Sequence, residues 1–447
     1  MTHNKKLSII GLGKLGSTMA ACFIHKGYEV IGVDINQDFV DAVNRGHSPI
    51  YEPCVDDLIN VNKNLIQATT EIEFAIFHTD VSFIIVPTPS MGSGLFSTKY
   101  VESATIEIAK VLSKKEKYHV IVITSTILPG DTERIGKDIE KISGKKIGKD
   151  FGLVYNPDFI ALGRIVHDFL NPDMILIGES DEKAGSIVQQ IHETIVDNEP
   201  EIYRMNWYNA ELAKVSLNSY CTLKLTFANI IAEICEKMPG GDAEIVLRAI
   251  GSDSRIGNKY FRGSLAWGGT CFPRDNRAFA KSVEQFGIRN TYSETTDRIN
   301  DYHKTDRICN LLIEYLEMKN TNELAILGLA YKEDTPIVEE AVSLSVIKKL
   351  TEMGYKITVY DPAAMEEAKK ELSQNDLITY AFSEYDCVKN KSVCFIATPW
   401  NSFKSLDIEQ ILKIMDSPII LDAWKILSVP ENSKIDIRYI GKNINNK

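Results

Sequence analysis

The sequence has no excess of basic residues, no CxxC pair and no apolar run approaching the ~18 residues of a membrane-spanning helix; each lack excludes a class of function. Lys and Arg number 50 against 61 Asp and Glu, a formal net charge of −11, which argues against nucleic acid or an anionic membrane as partner. An anionic ligand must then be held by local donors, because the global field repels it. The eight cysteines, at 22, 54, 221, 235, 271, 309, 387 and 394, form no zinc-type spacing with one another or with histidine. No metal is expected, and most of the thiols read as small buried hydrophobes in a reducing compartment. The opening MTHNKKLSII lacks an h-region and a small-residue cleavage site, so a cytoplasmic, soluble protein is expected.

What is present points to an α/β protein. At 447 residues the chain exceeds a single core, and two or three domains are expected. The stretches KLSIIGLGKLG, STMAACFIHKG and YEVIGVDIN read as strand, glycine turn, helix and strand. Gly11, Gly13 and Gly16 form G-x-G-x-x-G, with Asp34 closing the second strand, the pattern of a dinucleotide site. The first glycine makes the turn, the second lets a pyrophosphate approach and the third lets helix and strand pack, while Asp34 accepts from ribose hydroxyls and repels a 2′-phosphate. NAD is the expected cofactor, with Gly11, Gly13, Leu15, Gly16 and Asp34 as contacts. Strands expected within 81–90 and 118–131 end in small polar residues, adding Thr88, Ser125 and Thr126 on the cofactor side.

The rhythm recurs once. NELAILGLAYKED followed by MGYKITVYDP parallels the opening, but GLAYK at 328–332 lacks the phosphate turn, so a second α/β domain with a different ligand is expected. Between the copies, 206–237 carries no Pro or Gly and reads as a long helix with an apolar surplus, suited to a subunit interface. Lys214 and Asn218 share one of its faces. The expected architecture is two Rossmann-like doubly wound domains joined by a long central helix, with boundaries at 1–205, 206–317 and 318–447.

Within GSLAWGGTCFPRDNRAF, Cys271 follows Gly268, Gly269 and Thr270 and precedes Arg274 and Asp275. A nucleophilic thiolate needs a positive neighbourhood and small residues that let substrate approach. The two glycines are read as clearance, Arg274 and Lys214 as charge. A thiol in a dehydrogenase can capture an aldehyde as a thiohemiacetal that loses a second hydride.

GLGKLG, VPTP, STILPGDTE, NPDF, DFLNPDMILIG, AELAKVSLN, RIGNKYF, GGTCFPRD, GLAYKEDT and VYDP, in that order, resemble the UDP-glucose/GDP-mannose dehydrogenase family across nearly the whole chain. The resemblance implies oxidation of C6 of a nucleotide sugar from alcohol to carboxylate with two NAD+, in a homodimer. It implies Cys271 as nucleophile, Lys214 as stabiliser of the C6 oxygen or proton relay, and Asn218 as a fixed donor. Asp275 would hold the lysine or a water, and Thr126 would position water or the cofactor's carboxamide end. Arg255 would reach a partner subunit's substrate, Tyr260 to Gly268 with Arg262 would cradle the nucleotide sugar, and Lys332 would contact it from the second domain. Asp158, a methylene shorter than the family's glutamate, is the candidate base for hydrolytic water.

Three further positions depart from the family. Leu162 replaces a second glutamate, Glu339 an arginine expected to face the cofactor's phosphates, and Trp424 an arginine that grips substrate, with Lys425 beside it as a substitute charge. They leave the sugar open among UDP-glucose, the first choice, UDP-N-acetylhexosamines and GDP-mannose. A two-electron hydroxyacid dehydrogenase would share the glycine turn and the Lys/Asn face but has no need of Cys271. A catalytically dead scaffold would not need to keep it.

Overall fold

The computed structural model describes residues 6–289, 291–429, 433 and 435–443. The first five residues, on which the expectation of no leader partly rests, lie outside them. Packing divides the chain into two compact units, Met1–Ser216 and Leu217–Lys447.

The N-terminal unit is built on eight strands: β1 (Lys6–Ile10), β2 (Glu29–Val33), β3 (Ile66–Thr69), β4 (Val81–Ile84), β5 (His119–Ile123), β6 (Phe151–Tyr155), β7 (Met174–Glu179) and β8 (Glu201–Met205). They lie in the order β3-β2-β1-β4-β5-β6-β7-β8, parallel throughout except where β6 meets β7. Helices cover both faces, which is why the strands are nearly continuous apolar runs. Along β5, Val120 and Val122 enter one hydrophobic cluster, Ile121 and Ile123 the other.

A polar thread crosses this core. Lys115, 6% exposed, donates to the carbonyls of Ile76 and Thr79 at 2.6 and 2.5 Å and lies 2.9 Å from His119 Nδ1. His119 Nε2 meets the Ser82 hydroxyl at 2.8 Å, which meets that of Ser8 at 2.5 Å. The serines interrupting β1 and β4 thus satisfy a buried imidazole.

The C-terminal unit repeats the plan with β9 (Glu323–Leu327), β10 (Lys356–Tyr360), β11 (Ile378–Tyr380), β12 (Val393–Ile396), β13 (Ile419–Asp422) and β14 (Asp436–Tyr439). Their order β11-β10-β9-β12-β13-β14 reproduces that of β1 to β6, with every pairing parallel. Gly328 has φ +100°, as Gly11 has +101°. At Gly328 a Cβ would come within 2.5 Å of Thr398.

The long helix spans Trp207–Lys237 and runs from one unit into the other. The Asn206 side chain accepts from the Asn209 amide at 2.9 Å, capping its start. Tyr220, Leu223, Phe227 and Ile234 on its later half are 56, 37, 44 and 51% exposed, at spacings of three, four and seven. Among the described residues no helix is long and apolar enough to cross a membrane.

Candidate functional site

The glycine turn connects β1 to the helix Lys14–His25. Gly11 holds a left-handed conformation, and a Cβ there would come within 2.3 Å of the Ile85 carbonyl oxygen. A Cβ on Gly16 would fall 1.9 Å from the Gly11 carbonyl oxygen, so glycine is required at both. A Cβ on Gly13 would meet nothing within 4 Å among the described residues, leaving the helix N-terminus open to a phosphate. Leu15 is half-buried in the first turn of this helix. Asp34 Oδ2 accepts from the Leu12 amide at 2.6 Å and Oδ1 from that of Asn36 at 2.8 Å, locking the turn to the end of β2. Each oxygen keeps a lone pair for a ribose hydroxyl. These residues fit NAD.

The ends of β4 and β5 differ from the simple reading. Thr88 is buried, while the Ser125 hydroxyl donates to the Val86 carbonyl at 2.7 Å and accepts from the Val86 amide at 2.9 Å. Ser125 therefore clips two strand ends together. Thr126 is half-buried, and its hydroxyl makes no hydrogen bond among the described residues.

Within the same unit, Lys214 is buried and its Nζ donates to the Asp158 carbonyl at 2.5 Å, lying 4.5 Å from the centre of the Phe159 ring. Asp158 Oδ2 is enclosed without a hydrogen-bond partner among the described residues. Burial pushes its carboxyl up to about 7, against the opposing pull of Lys214. Leu162 stands half-buried nearby in sequence. Glu211, one turn before Lys214, is fully buried with both oxygens bonded to the segment after β5. Nothing in the AELAK motif that holds Glu211 signals this tether, because its partners lie 79 and 81 positions away.

In the C-terminal unit, Cys271 is exposed and caps the helix Phe272–Glu284, where the dipole favours an anion. Six of the eight cysteines are buried; the other exposed one is Cys54. Asp275, on the first turn of that helix, is 1% exposed. Its Oδ2 accepts from Asn218 Nδ2 at 2.6 Å, and its Oδ1 from Arg274 Nε and Nη2, each at 2.9 Å. The carboxylate thus fixes the amide and the arginine together.

Gly268 and Gly269 serve a purpose beyond clearance for substrate. A Cβ on Gly268 would come within 2.3 Å of the Glu340 carbonyl oxygen, and one on Gly269 within 2.5 Å of the Tyr331 ring. The Gly269 amide donates to the Glu339 carbonyl at 3.1 Å. The turn before the cysteine is therefore seated on the segment after GLAYK. Glu339 turns its side chain to solvent, while Glu340, at φ +54°, receives Arg277 at 3.0 Å and Lys304 at 2.5 Å. Burial pushes the Glu340 carboxyl up, but the two cations outweigh it and hold it below the ordinary range. Lys332 is half-buried beside the Tyr331 ring.

A cavity of about 480 Å³ in this unit is lined by Phe261, Arg262, Trp424, Lys425, Glu244 and Arg248, among others. Arg262 donates to the Trp424 carbonyl at 2.7 Å, and its guanidinium lies 5.7 Å from the indole. Trp424 is anchored by its own Nε1, which donates to the Ala397 carbonyl at 2.9 Å. Lys425 Nζ stands 3.3 Å from Glu244, so its charge is already matched. Tyr260, at φ +57°, sets its ring edge-on to Phe272. The Arg255 side chain is 86% exposed and makes a two-pronged contact with Asp253. Among the described residues no cluster of His, Cys, Asp and Glu could hold a metal ion.

Three domain descriptions of the UDP-glucose/GDP-mannose dehydrogenase family match the chain: the NAD binding domain over residues 5–196, the central domain over 208–302 and the UDP binding domain over 325–429. A UDP-glucose 6-dehydrogenase of Haloferax volcanii is 33% identical over 427 residues, 95% of this chain and 97% of that protein. A GDP-mannose 6-dehydrogenase of Pseudomonas putida is 34% identical over 361 residues, 80% of each. The solved structure of a UDP-glucose dehydrogenase from Pyrobaculum islandicum superimposes with a TM-score of 0.86 at 30% identity, covering 98% of this chain and 97% of that one.

Proposed function

The chain belongs to the UDP-glucose/GDP-mannose dehydrogenase family and is with it an NAD-dependent oxidoreductase of nucleotide sugars; on that premise we propose that it carries C6 of its substrate through four electrons, with UDP-glucose as the sugar nucleotide. The observation that carries this reading is the exposed Cys271 at a helix N-terminus, with Asn218, Arg274 and Asp275 locked behind it. A two-electron dehydrogenase or a scaffold has no use for such a thiol.

NAD+ would be held at Gly11, Gly13, Leu15, Gly16 and Asp34, with Thr88 at a strand end and Ser125 bracing the strand ends behind it, and would supply the hydride acceptor. The first step removes a hydride from C6 and a proton from its hydroxyl, leaving an aldehyde. Lys214 stabilises the oxygen as charge develops, and Asn218 donates to it. The Cys271 sulfur then adds to the carbonyl carbon, giving a thiohemiacetal. Loss of a second hydride and the hydroxyl proton leaves a thioester. Water, activated by Asp158 and positioned by Thr126, displaces the thiolate and yields the carboxylate. Cys271 is regenerated, and the two hydrides lost from C6 would have reduced two NAD+.

Arg262 and the Tyr260 to Gly268 loop cradle the nucleotide, Lys332 contacts it, and Arg255 reaches across a homodimer. The functional spans proposed are 1–205 for NAD, 206–317 for dimerisation and 318–447 for the nucleotide sugar. Trp424 offers a flat face where a guanidinium would fork onto the sugar, so UDP-N-acetylhexosamines and GDP-mannose are the competing substrates.

The test is NADH formed per sugar consumed with UDP-glucose, UDP-GlcNAc, UDP-ManNAc and GDP-mannose offered separately. Two NADH per UDP-glucose is expected, and Cys271→Ser should cut that turnover by roughly 10³-fold or more while leaving nucleotide-sugar binding intact. One NADH per sugar, or a fully active serine variant, removes the thioester route.

A further inference from the structure

We infer that Glu211 is a positioning residue for Thr126: its carboxylate pins the far end of the Thr124–Gly130 segment and so sets where the Thr126 hydroxyl stands. The inference rests on the dehydrogenase reading for what Thr126 does there, but the tether itself is independent of it. Glu211 Oε2 accepts from the Gly130 amide at 2.7 Å. Its Oε1 accepts from the Thr132 amide at 2.8 Å and from the Thr132 hydroxyl at 2.5 Å.

The helix Asp131–Ser143 starts at this point, and its cap residue, Gly130 at φ +100°, has no side chain to offer. The cap is supplied from the long helix instead, one turn before Lys214. At the near end, the amides of Thr124 and Ser125 donate to the Ile84 carbonyl at 3.0 and 3.2 Å, and Ser125 clips onto Val86. The Leu128 amide donates to Asp131 Oδ2 at 2.9 Å, within the turn itself. Thr126 makes no side-chain bond among the described residues, so its place is set by the backbone strung between these anchors.

The acceptor pattern requires a carboxylate. An amide at position 211 would turn its NH2 toward either the Gly130 amide or the Thr132 amide, donor against donor in both orientations. Glu211→Gln, equal in size, therefore separates the tether from mere packing. A shift of about 1 Å at a reacting group costs on the order of 10²-fold in rate.

Two variants of the full-length enzyme, Glu211→Gln and Thr132→Val, are compared with wild type by amide hydrogen exchange and by steady-state kinetics normalised to titrated Cys271 thiol. Glu211→Gln should speed exchange across 124–132 and lower kcat by roughly 10- to 100-fold with KM for the nucleotide sugar within about two-fold. Thr132→Val, which removes one donor of three, should move both readouts the same way by less. Unchanged exchange across 124–132 in either variant overturns the tether; faster exchange with wild-type kcat overturns the positioning role. If Glu211→Gln does not fold, the valine variant decides by the same two criteria. Wild-type enzyme that oxidises no nucleotide sugar would defeat the dehydrogenase reading, while the exchange data would still decide the tether.

Discussion

A carboxyl oxygen enclosed without a hydrogen-bond partner is an expensive feature for a fold to keep, and among the described residues Asp158 Oδ2 is one. With its folded value near 7 and an ordinary unfolded value near 4, the native state holds a proton between those limits that the unfolded chain has released. Stability contributed at this position is therefore lost as pH rises from about 4 through 7, and the cost is complete above 7. Ionisation is also what a base for hydrolytic water needs, so kcat should rise through about pH 7. Asp158→Asn should flatten that limb and, above pH 7, gain stability relative to wild type. A pH profile of kcat beside thermal unfolding of both proteins checks the pair; an unchanged limb in the variant would remove Asp158 as the base.

At the scale of elements, the Glu340 corner joins the segment after β9 to the cysteine helix through Arg277 and to a π-helical turn, Tyr302–Asp306, through Lys304. Glu340→Gln keeps the backbone, its positive φ and the methylenes while removing the carboxylate, so a loss reports the ion pairs. A loss of about 1–2 kcal/mol is expected by calorimetry, together with altered alkylation kinetics at Cys271; wild-type values of both would dismiss the clamp. The second element-scale test concerns Lys115, whose buried ammonium bonds neutral acceptors among the described residues, with the Asp80 carboxylate opposing the effect of burial. Burial lowers its value to about 8. Between pH 8 and about 10.5 the unfolded chain keeps a proton that the native state has shed, so stability rises with pH across that window. Wild type should gain on the order of 3 kcal/mol over Lys115→Met between these limits, read from denaturant unfolding at several pH values. A constant difference would mean that the ammonium is better compensated than its neighbours suggest.

Both elements also mark where sequence reading stops. The glycine turn was legible because each requirement is local: Gly11, Gly13 and Gly16 lie within six positions, and Asp34 ends the next strand. The Glu340 clamp was not, since Arg277 and Lys304 stand 63 and 36 positions away and no spacing rule relates them. Gly268 and Gly269 look like room for a ligand in the sequence, which does not distinguish that need from close approach by another segment. The Ser125 hydroxyl, a plausible cofactor contact by its place at a strand end, is already engaged by Val86. Tertiary hydrogen bonds claim polar groups that a linear reading leaves available.

At the scale of the whole molecule, the proposed homodimer would use the apolar stripe of the long helix and the exposed Arg255. Sedimentation equilibrium should give twice the 50.1 kDa chain mass, and Tyr220→Asp with Leu223→Asp should shift the population toward monomer with loss of activity. A wild-type monomer at assay concentration would leave Arg255 without its proposed target.

The seat of the Cys271 turn limits how modular such a chain can be. Cys271 lies in one family span, 208–302, yet the backbone that supports its turn comes from another, 325–429. A chimera that exchanges the C-terminal domain between relatives to change the sugar read would also exchange the bedding of the Cys271 turn. It should keep its chemistry only if Tyr331 and Glu340 travel together with the two glycines, Arg277 and Lys304, as one inherited unit.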